Sequence, residues 1–451
     1  MALHSLRPFR RRSFALIWGA ALVSNVGSWM QTVAVGVLVT ARTGRAGWTG
    51  LVAAAAFIPI GLLSPVGGAL ADRLDRRKWL LATTVAEAVV ATVLTVVAAT
   101  GHATAPLVTA LVFVGGSMAA IGFPAYQAML PDLVDREDLM PAIALSSAQY
   151  NLGRVIGPAL AGVVIAAGGY SWAFALNAVS FLAVAGALAA VRLPPPERPL
   201  ASAVSMRSRL AEGARWTKAD PGCRRAVVLI SIVALTASPF IALVPAIALK
   251  VFGSKAAGTS LLITCQGVGA VAGALAVSPL ARRFGRVQVF AADVVVLCVL
   301  LAAYGLAPNL SFAAVAIAGV GAAYIGVLTG LNTTIQLRAP AQHRGRVLGI
   351  YMMALGILYP IGALVQGALG DRLGLREVTV SGGVVLLLVM AALVVIRGWL
   401  GALEAPAQAA VNTAVAVPDA ALPGTLGAGV AGAASAPPGG PPAGAATAGR
   451  R

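Results

Sequence analysis

Residues 226–249 read AVVLISIVALTASPFIALVPAIAL, which is 24 residues without a charged side chain. At about 1.5 Å per residue, a helix of this length reaches roughly 36 Å and can cross a hydrocarbon layer of about 30 Å. The run has no polar stripe, so every face of such a helix must meet lipid or another helix instead of water. The stretch is therefore predicted to span a membrane.

The whole chain shares this character. Its 451 residues are 59% hydrophobic and 11% charged, whereas soluble domains carry about 25% charged residues. The predicted fold class is an all-α membrane protein, with twelve transmembrane helices in two pseudo-symmetric six-helix bundles. The predicted spans, numbered 1 to 12 in chain order, are 13–39, 49–71, 79–100, 105–129, 141–167, 172–191, 226–249, 257–281, 287–308, 310–336, 346–370 and 376–397.

The basic residues indicate an orientation for these spans. A net charge of +18 could suggest a nucleic-acid partner, but the basic side chains lie in short loops between apolar runs. With alternating spans, 26 Lys and Arg collect on one side and six on the other, while Arg154 lies inside a span. The positive-inside bias then predicts a cytoplasmic (inner) membrane protein with both termini in the cytoplasm, bound to lipid and not to nucleic acid.

Loops and composition divide the chain into four parts. Residues 192–225 form a basic, proline-containing linker with a predicted amphipathic helix at about 204–218. The linker separates an N-terminal six-helix half, 1–191, from a C-terminal half, 226–400. Residues 401–451 are rich in Ala, Gly and Pro, and a disordered cytoplasmic tail is expected there.

A weak repeat relates the two halves. The loop after span 2, residues 68–78, reads GALADRLDRRK, and the loop after span 8, residues 278–286, reads SPLARRFGR. The offset of 210 residues places the same loop in each half. Internal repeats of this kind are typical of transporters.

The loop at 68–78 resembles the signature loop of the major facilitator superfamily, G-x-L-a-D-R-x-G-R-[RK], with Asp75 in place of the second Gly. Asp72 ends span 2, where the helix dipole disfavours an anion, so its carboxylate needs a partner: a nearby Arg or the N-terminus of span 11. The resemblance implies that the loop locks the cytoplasmic side of the transporter; the alternative is an ordinary basic loop with an incidental Asp. The candidate lock residues are Gly68, Asp72, Arg73, Arg76 and Arg77. Residues 367–376, GALGDRLGLR, match nearly as well, but the span count places them outside, as an external helix end.

Span 5 contains a second motif, GRVIGPALAG at 153–162. Its small residues permit close helix packing, and its proline bends the helix. The motif resembles the span-5 motif of drug/proton antiporters, which favours an exporter; ordinary small-residue packing is the alternative. Together with spans 1, 4 and 11, residues 5–400 resemble the superfamily's drug and siderophore exporter branch, which includes enterobactin and macrolide efflux proteins. The motif residues singled out are Gly153, Arg154, Gly157, Pro158 and Gly162.

Three ionised side chains lie well inside predicted spans, and each is a functional candidate because burying charge in a membrane is costly. Arg154 lies roughly 20 Å along span 5 and is predicted to bind substrate or to sense protonation, unless it forms a structural pair. Glu87 and Asp293 are candidates for proton coupling, with Glu87 preferred. The family fold argues against both, because it places spans 3 and 9 at the periphery.

Spans 1, 4, 7 and 10, which line the cavity in this superfamily, carry amide and aromatic side chains but no acid. Such side chains suit a bulky, amphipathic, largely uncharged organic solute. Each one alone could instead make an interhelical hydrogen bond. The cavity candidates are Asn25, Trp29, Gln31, Tyr126, Gln127, Tyr324 and Asn332.

These features predict a monomeric secondary transporter that exports small amphipathic molecules by proton antiport and alternating access. An uptake symporter and a non-transport receptor are the alternatives. The sequence contains neither HExxH nor G-x4-G-K-[ST], which argues against a zinc protease and against ATP hydrolysis by this chain. No enzyme activity, cofactor or metal is expected.

Overall fold

The computed structural model describes residues 6–191, 206–254, 256–395 and 401–404. The predicted tail therefore lies outside the described residues beyond position 404, and so does part of the linker. The described residues form helices joined by short turns, with no strand among them. The long helices are Arg12–Thr43, Ala46–Arg73, Arg76–Ala99, Ala105–Met129, Leu139–Ala190, Pro221–Thr236, Phe240–Lys250, Ala256–Phe284, Arg286–Gly305, Leu310–Arg338, Ala341–Leu373 and Leu375–Val395, with the linker helix Met206–Ala219 between the fifth and sixth.

Eleven helical segments in the described part of the chain are long and apolar enough to cross a membrane. The helix Leu139–Ala190 has 52 residues, about 78 Å if it were straight, which is more than two bilayer crossings. It breaks at Gly169, whose backbone has φ 77° and ψ −174°. A positive φ is readily adopted only by glycine. The two arms of this helix are spans 5 and 6, so the twelve-span prediction is confirmed.

Span 7 is also interrupted. The helices Pro221–Thr236 and Phe240–Lys250 are separated by a short turn at 237–239. The Ser238 hydroxyl lies 2.9 Å from the hydroxyl of Tyr324 on span 10, and both side chains are buried. The hydrogen bond gives the polar turn a partner inside the bundle, where an unpaired polar group would be costly.

Close glycine contacts hold neighbouring spans together. A Cβ added at Gly27 of span 1 would lie 2.5 Å from the amide oxygen of Asn177 on span 6. A Cβ at Gly67 of span 2 would lie 2.6 Å from the backbone of Ile121 on span 4. In the second half, Gly273 of span 8 meets the backbone of span 10 in the same way. Close backbone approach of this kind stabilises membrane helices through van der Waals packing.

Spans 2 and 11 bring the two halves together at one end of the bundle and diverge towards the other. A Cβ at Gly367 would lie 2.7 Å from the carbonyl oxygen of Ala46, and one at Gly61 would lie 2.9 Å from the side chain of Ile357. Further along, a Cβ at Gly68 or at Gly345 would meet no atom within 4 Å. We call these two ends of the bundle the Asp371 end and the Asp72 end, after the motif aspartate at each.

Candidate functional site

Arg154 lies where the two halves meet. One terminal nitrogen of its guanidinium donates to the Oε1 atom of Gln266 on span 8, at 3.3 Å. The centre of the guanidinium lies 5.7 Å from the centroid of the Trp29 ring on span 1, a cation–π distance. The structure shows no carboxylate paired with Arg154 among the described residues. Arg154 is thus held by a neutral amide and an aromatic ring.

Further aromatic groups surround this cation. The ring of Tyr150, one turn before Arg154, packs edge-on against Trp29 with 6.1 Å between the centroids. The hydroxyls of Tyr150, Tyr324 and Tyr359 lie within range of the Arg154 charge. Because Tyr324 and Tyr359 belong to spans 10 and 11, the site contains side chains from both halves of the protein.

The glycines of the span-5 motif position Arg154. A Cβ at Gly153 would lie 2.7 Å from the Cβ of Asn25, and one at Gly157 would lie 2.6 Å from the Cβ of Trp29. These two glycines let span 5 lie directly against span 1. Gly162, two turns further on, meets Ser260 of span 8 in the same way, with 2.9 Å to its hydroxyl. The motif therefore holds span 5 against span 1 of the first half and span 8 of the second. Arg154 lies on the helix face that contacts these spans.

Gly157→Ala is expected to destabilise the protein because the added methyl group would overlap the backbone of span 1. Overpacking of this kind costs about 1–3 kcal/mol. Gly186→Ala on span 6 is the matched control, since a Cβ there meets no atom within 4 Å. The measurement is the midpoint of thermal unfolding in detergent. Equal midpoints for the two variants would contradict the packing role of Gly157.

Asp371 joins the two halves at its end of the bundle. Its carboxylate accepts hydrogen bonds from the backbone N–H groups of Ala46 and Gly47, at 2.7 and 2.8 Å. These groups begin span 2, so the anion lies at the positive end of a helix dipole. Lys250, at the end of span 7, completes the contact with its Nζ atom 3.0 Å from the carboxylate. The GALGDRLGLR stretch thus forms an interhelical contact, beyond its predicted role as a helix end.

The candidate lock at the other end is arranged differently. Asp72 and Arg73 are exposed, and among the described residues Asp72 has no hydrogen bond or ion pair. Arg76, one of the two nearby arginines expected as partners of Asp72, instead donates to the carbonyl of Ala128 at 3.1 Å and lies 3.4 Å from Asp132. Arg77 donates to backbone carbonyls at the end of span 6. Arg76 and Arg77 thus bind groups of the first half, and Asp72 has no partner among the described residues.

The two candidate coupling carboxylates differ in their surroundings. Asp293 of span 9 packs against Gly326 of span 10, where any Cβ would overlap the carboxylate. Its Oδ2 atom is buried, and no hydrogen-bond partner for it lies in the described part of the chain. Glu87 of span 3 is half-buried, and it too lacks a hydrogen bond among those residues. Asp293 therefore faces a neighbouring span directly.

Some of the predicted cavity residues lie near Arg154, and the others lie elsewhere in the bundle. Trp29 lies under the guanidinium, Asn25 packs against Gly153 beside it, and Tyr324 of the second half lies within range of its charge. Gln31 instead accepts a hydrogen bond from Asn177 of span 6 at 2.9 Å, and Asn332 accepts one from Gln336 on its own helix. Tyr126 stacks on Phe123, and Gln127 is exposed.

Two ion-pair clusters near the Asp72 end escaped the sequence analysis. Arg338, at the end of span 10, donates two hydrogen bonds to Asp220, at 2.7 and 2.6 Å, and the two side chains are 6% and 2% exposed. Asp220 also caps span 7 by accepting from the N–H of Cys223 at 2.7 Å. An Asp directly before a Pro and an apolar run is an N-cap signal that could have revealed half of this pair.

The second cluster holds the linker helix against span 11. Glu212 forms ion pairs with His343 and Arg346, and Trp216 stacks on the His343 ring with 4.8 Å between the centroids. The helix Met206–Ala219 matches the predicted amphipathic helix. The sequence pattern predicted that helix but gave no indication of where it would dock.

An open, apolar groove runs between spans 5 and 8, beside the Arg154 site. Its lining includes Gly162, Ser260 and Thr264. The hydroxyls of Ser260 and Thr264 are buried without a hydrogen-bond partner in the described part of the chain. Since the lining carries no charged group, the groove offers packing surface but nothing that would orient a charged ligand.

Twelve apolar spans, a polar site between two halves and paired motifs at opposite ends define a membrane transporter of the major facilitator class. The chain belongs to the transmembrane secretion effector family, whose model matches residues 3–423. It is 26% identical over 380 residues to macrolide efflux protein A of Streptococcus pyogenes, covering 81% of this chain and 91% of that protein. It is 29% identical over 396 residues to the enterobactin exporter EntS of Escherichia coli O1:K1, covering 84% and 92%.

A third relative and the solved structures agree with this assignment. The multidrug efflux pump Tap of Mycolicibacterium fortuitum is 27% identical over 377 residues, covering 81% of this chain and 91% of Tap. An inward-facing bacterial homologue of the lysosomal transporter Spinster superposes with a TM-score of 0.69 at 14% identity, covering 88% of this chain and 97% of that one. A bacterial homologue of the iron transporter ferroportin gives 0.63 at 15% identity, covering 86% and 98%. The fold and the relatives are those of membrane transporters, not enzymes.

Proposed function

We propose that this chain exports small amphipathic organic molecules, such as drugs, siderophores or secondary metabolites, across the cytoplasmic membrane by alternating access and proton antiport. One observation carries the alternating-access part of the proposal. Two similar motifs lie at opposite ends of the bundle, one at the end of span 2 and one at the end of span 11, and only the second binds the other half. Residues 68–77 and 367–376 share seven of ten amino acids. Asp371 binds the N-terminus of span 2, while Asp72 has no partner in the described part of the chain.

The contact of Asp371 suggests what Asp72 does in the second conformation of the transport cycle. Asp371 lies at the end of span 11 and caps the N-terminus of span 2. The corresponding contact for Asp72, which lies at the end of span 2, is with the N-terminus of span 11. In the proposed cycle the Asp371 contact opens and Asp72 then caps span 11. The excess of basic residues at the Asp72 end favours a cytoplasmic position for that end and for both termini, so the form described here would open to the cytoplasm.

The proposed moving units are the two six-helix halves, 1–191 and 226–400, joined by the linker 192–225. A single chain supplies both faces of the Arg154 site, which supports a monomeric transporting unit. Export is favoured over uptake because the relatives described above are named as efflux proteins and exporters. The span-5 motif, which fixes Arg154 between the halves, supports the same direction.

Everted membrane vesicles test the proposal, since they convert export into measurable uptake. Vesicles containing the protein are expected to accumulate a macrolide or enterobactin when a pH gradient, acidic inside, is imposed, and an uncoupler is expected to abolish the accumulation. Vesicles from cells without the protein are the control. No accumulation of either solute under the gradient would contradict proton-driven export, and accumulation only in right-side-out vesicles would indicate an uptake symporter.

Asp293, and not Glu87 as the sequence favoured, is the proposed proton carrier, since its buried carboxylate oxygen lacks a partner among the described residues and faces span 10. A carboxylate in such a place is expected to gain and lose a proton as its surroundings change. Asp293→Asn should reduce gradient-driven accumulation at least tenfold while leaving downhill movement of solute intact. Glu87→Gln is the matched comparison. Undiminished accumulation in both variants would exclude both carboxylates as the carrier.

A further inference from the structure

The Arg154 guanidinium carries a charge that no group in the described part of the chain neutralises. Its hydrogen bond goes to a neutral amide and its nearest ring is Trp29. An unpaired cation deep inside a membrane bundle is costly, and such groups normally face a partner or a pathway. An anion that is present only part of the time would supply this partner.

Gln266 points to the same conclusion independently. Its side chain is 2% exposed, and its Nε2 donor is buried without a hydrogen-bond acceptor among the described residues. Buried donors are rarely left unsatisfied in a native structure. The Oε1 atom of the same amide already accepts from Arg154 at 3.3 Å. An unused amide donor and a guanidinium thus lie side by side.

The other walls of the site are aromatic. Trp29 lies beneath the guanidinium, Tyr150 packs against Trp29, and Tyr324 and Tyr359 lie within electrostatic reach from the second half. Planar rings of this kind bury flat, apolar ligands well. In contrast, cavity spans 1, 4, 7 and 10 contain no acidic residue that would hold a cation.

The geometry points to an anion-binding subsite: Arg154 and Gln266 bind the carboxylate or phenolate of an aromatic, amphipathic substrate whose ring packs against Trp29. The inference rests on the proposed export function and narrows it from amphipathic molecules in general to aromatic monoanions. Arg154 offers a planar pair of donors that fits a carboxylate, and Gln266 adds a third N–H. Substrate release then leaves the guanidinium with its weaker hydrogen bond to the amide.

The test uses matched probes that differ only in charge. These are the carboxylates of naphthalene, anthracene and pyrene, each paired with its primary carboxamide. Competition against an exported solute in everted vesicles gives an inhibition constant for each probe. We expect the carboxylates to inhibit at least tenfold more strongly than their amides in the wild-type protein. Arg154→Gln should remove most of this difference, and Arg154→Lys should keep part of it.

The control variant is Arg42→Gln, at the end of span 1, where Arg42 donates to the carbonyl of Gly101 at 3.2 Å; it should keep the full preference for anions. Equal inhibition by amides and carboxylates in the wild-type protein would overturn the inference even if Arg154→Gln fails to fold. So would an anion preference that survives in Arg154→Gln. A protein that moves no solute at all would instead contradict the proposed export function, so the two failures can be told apart.

Discussion

Asp371→Asn is expected to release the contact between spans 2 and 11 and to shift the protein towards a form open at the Asp371 end. The substitution removes the ion pair with Lys250 and the charge at the helix N-terminus. Hydrogen bonds to a charged group contribute about 1.5–3 kcal/mol each. A loss of about 2 kcal/mol in one conformation changes the ratio of the two conformations roughly thirtyfold.

Spin-label distances measure this shift directly. One pair of labels, at the exposed positions His102 and Pro308, spans the halves at the Asp371 end, and a second pair, at Arg73 and Arg344, spans them at the Asp72 end. In Asp371→Asn the first distance should lengthen and the second should shorten. Glu377→Gln, which changes a neighbouring carboxylate, should leave both distributions unchanged. Wild-type distributions in the Asp371→Asn variant would show that the carboxylate does not hold the halves together.

Arg338→Met is expected to cause the largest loss of stability, because it leaves the Asp220 carboxylate buried without its cation. The pair is 6% and 2% exposed and joined by two short hydrogen bonds. Breaking a buried pair by removing one partner costs about 3–5 kcal/mol. The measurement is the midpoint of thermal unfolding in detergent, together with the yield of folded protein.

Two further variants make this prediction decisive. The double substitution Asp220→Asn and Arg338→Met removes both charges and should recover much of the loss, because no buried ion remains. Arg11→Met breaks an ion pair with Asp135 whose side chains are 58% and 60% exposed, and it should have little effect on stability. If Arg338→Met is as stable as Arg11→Met, the buried pair is not a stabilising element.

The same pair predicts how stability depends on pH. Burial alone would raise the pKa of Asp220, but hydrogen bonds from Arg338 and from the N–H of Cys223 outweigh burial and lower the pKa below its ordinary value. A carboxyl group with a lowered pKa stabilises the fold above its unfolded pKa of about 3.9, and this contribution is lost as the pH falls through the folded value. The unfolding midpoint of the wild-type protein should therefore include this contribution at pH 7 and lose it only in strong acid.

Apolar runs long enough to cross the bilayer predicted the fold, because membrane helices must satisfy their backbone hydrogen bonds internally. The break at Gly169 falls in the gap between the predicted spans 141–167 and 172–191. The end of the bundle at which the two halves meet could not be foreseen. Hydropathy says that spans 2 and 11 exist, but only the packing of Gly367 against Ala46 shows which ends of these spans meet.

At the candidate site, sequence reasoning singled out the charged residue and missed its neutral partner. Arg154 stood out because charge is rare in apolar helices, whereas Gln266 is one of many amides that could bond anywhere. The same difficulty affected Gln31, a cavity candidate that instead bonds Asn177 on span 6. Amides are versatile donors and acceptors, so their roles depend on neighbours that a single sequence does not reveal.

The similarity of residues 68–77 and 367–376 has an energetic consequence. If each aspartate caps the helix opposite it in turn, the two end states exchange one contact for another of the same chemistry, and the equilibrium constant between them stays close to one. Lys250 binds Asp371, and in such a cycle this extra cation would favour the form described here. With the two contacts so closely matched, the binding of a single proton or substrate would be enough to move the protein between its two end states.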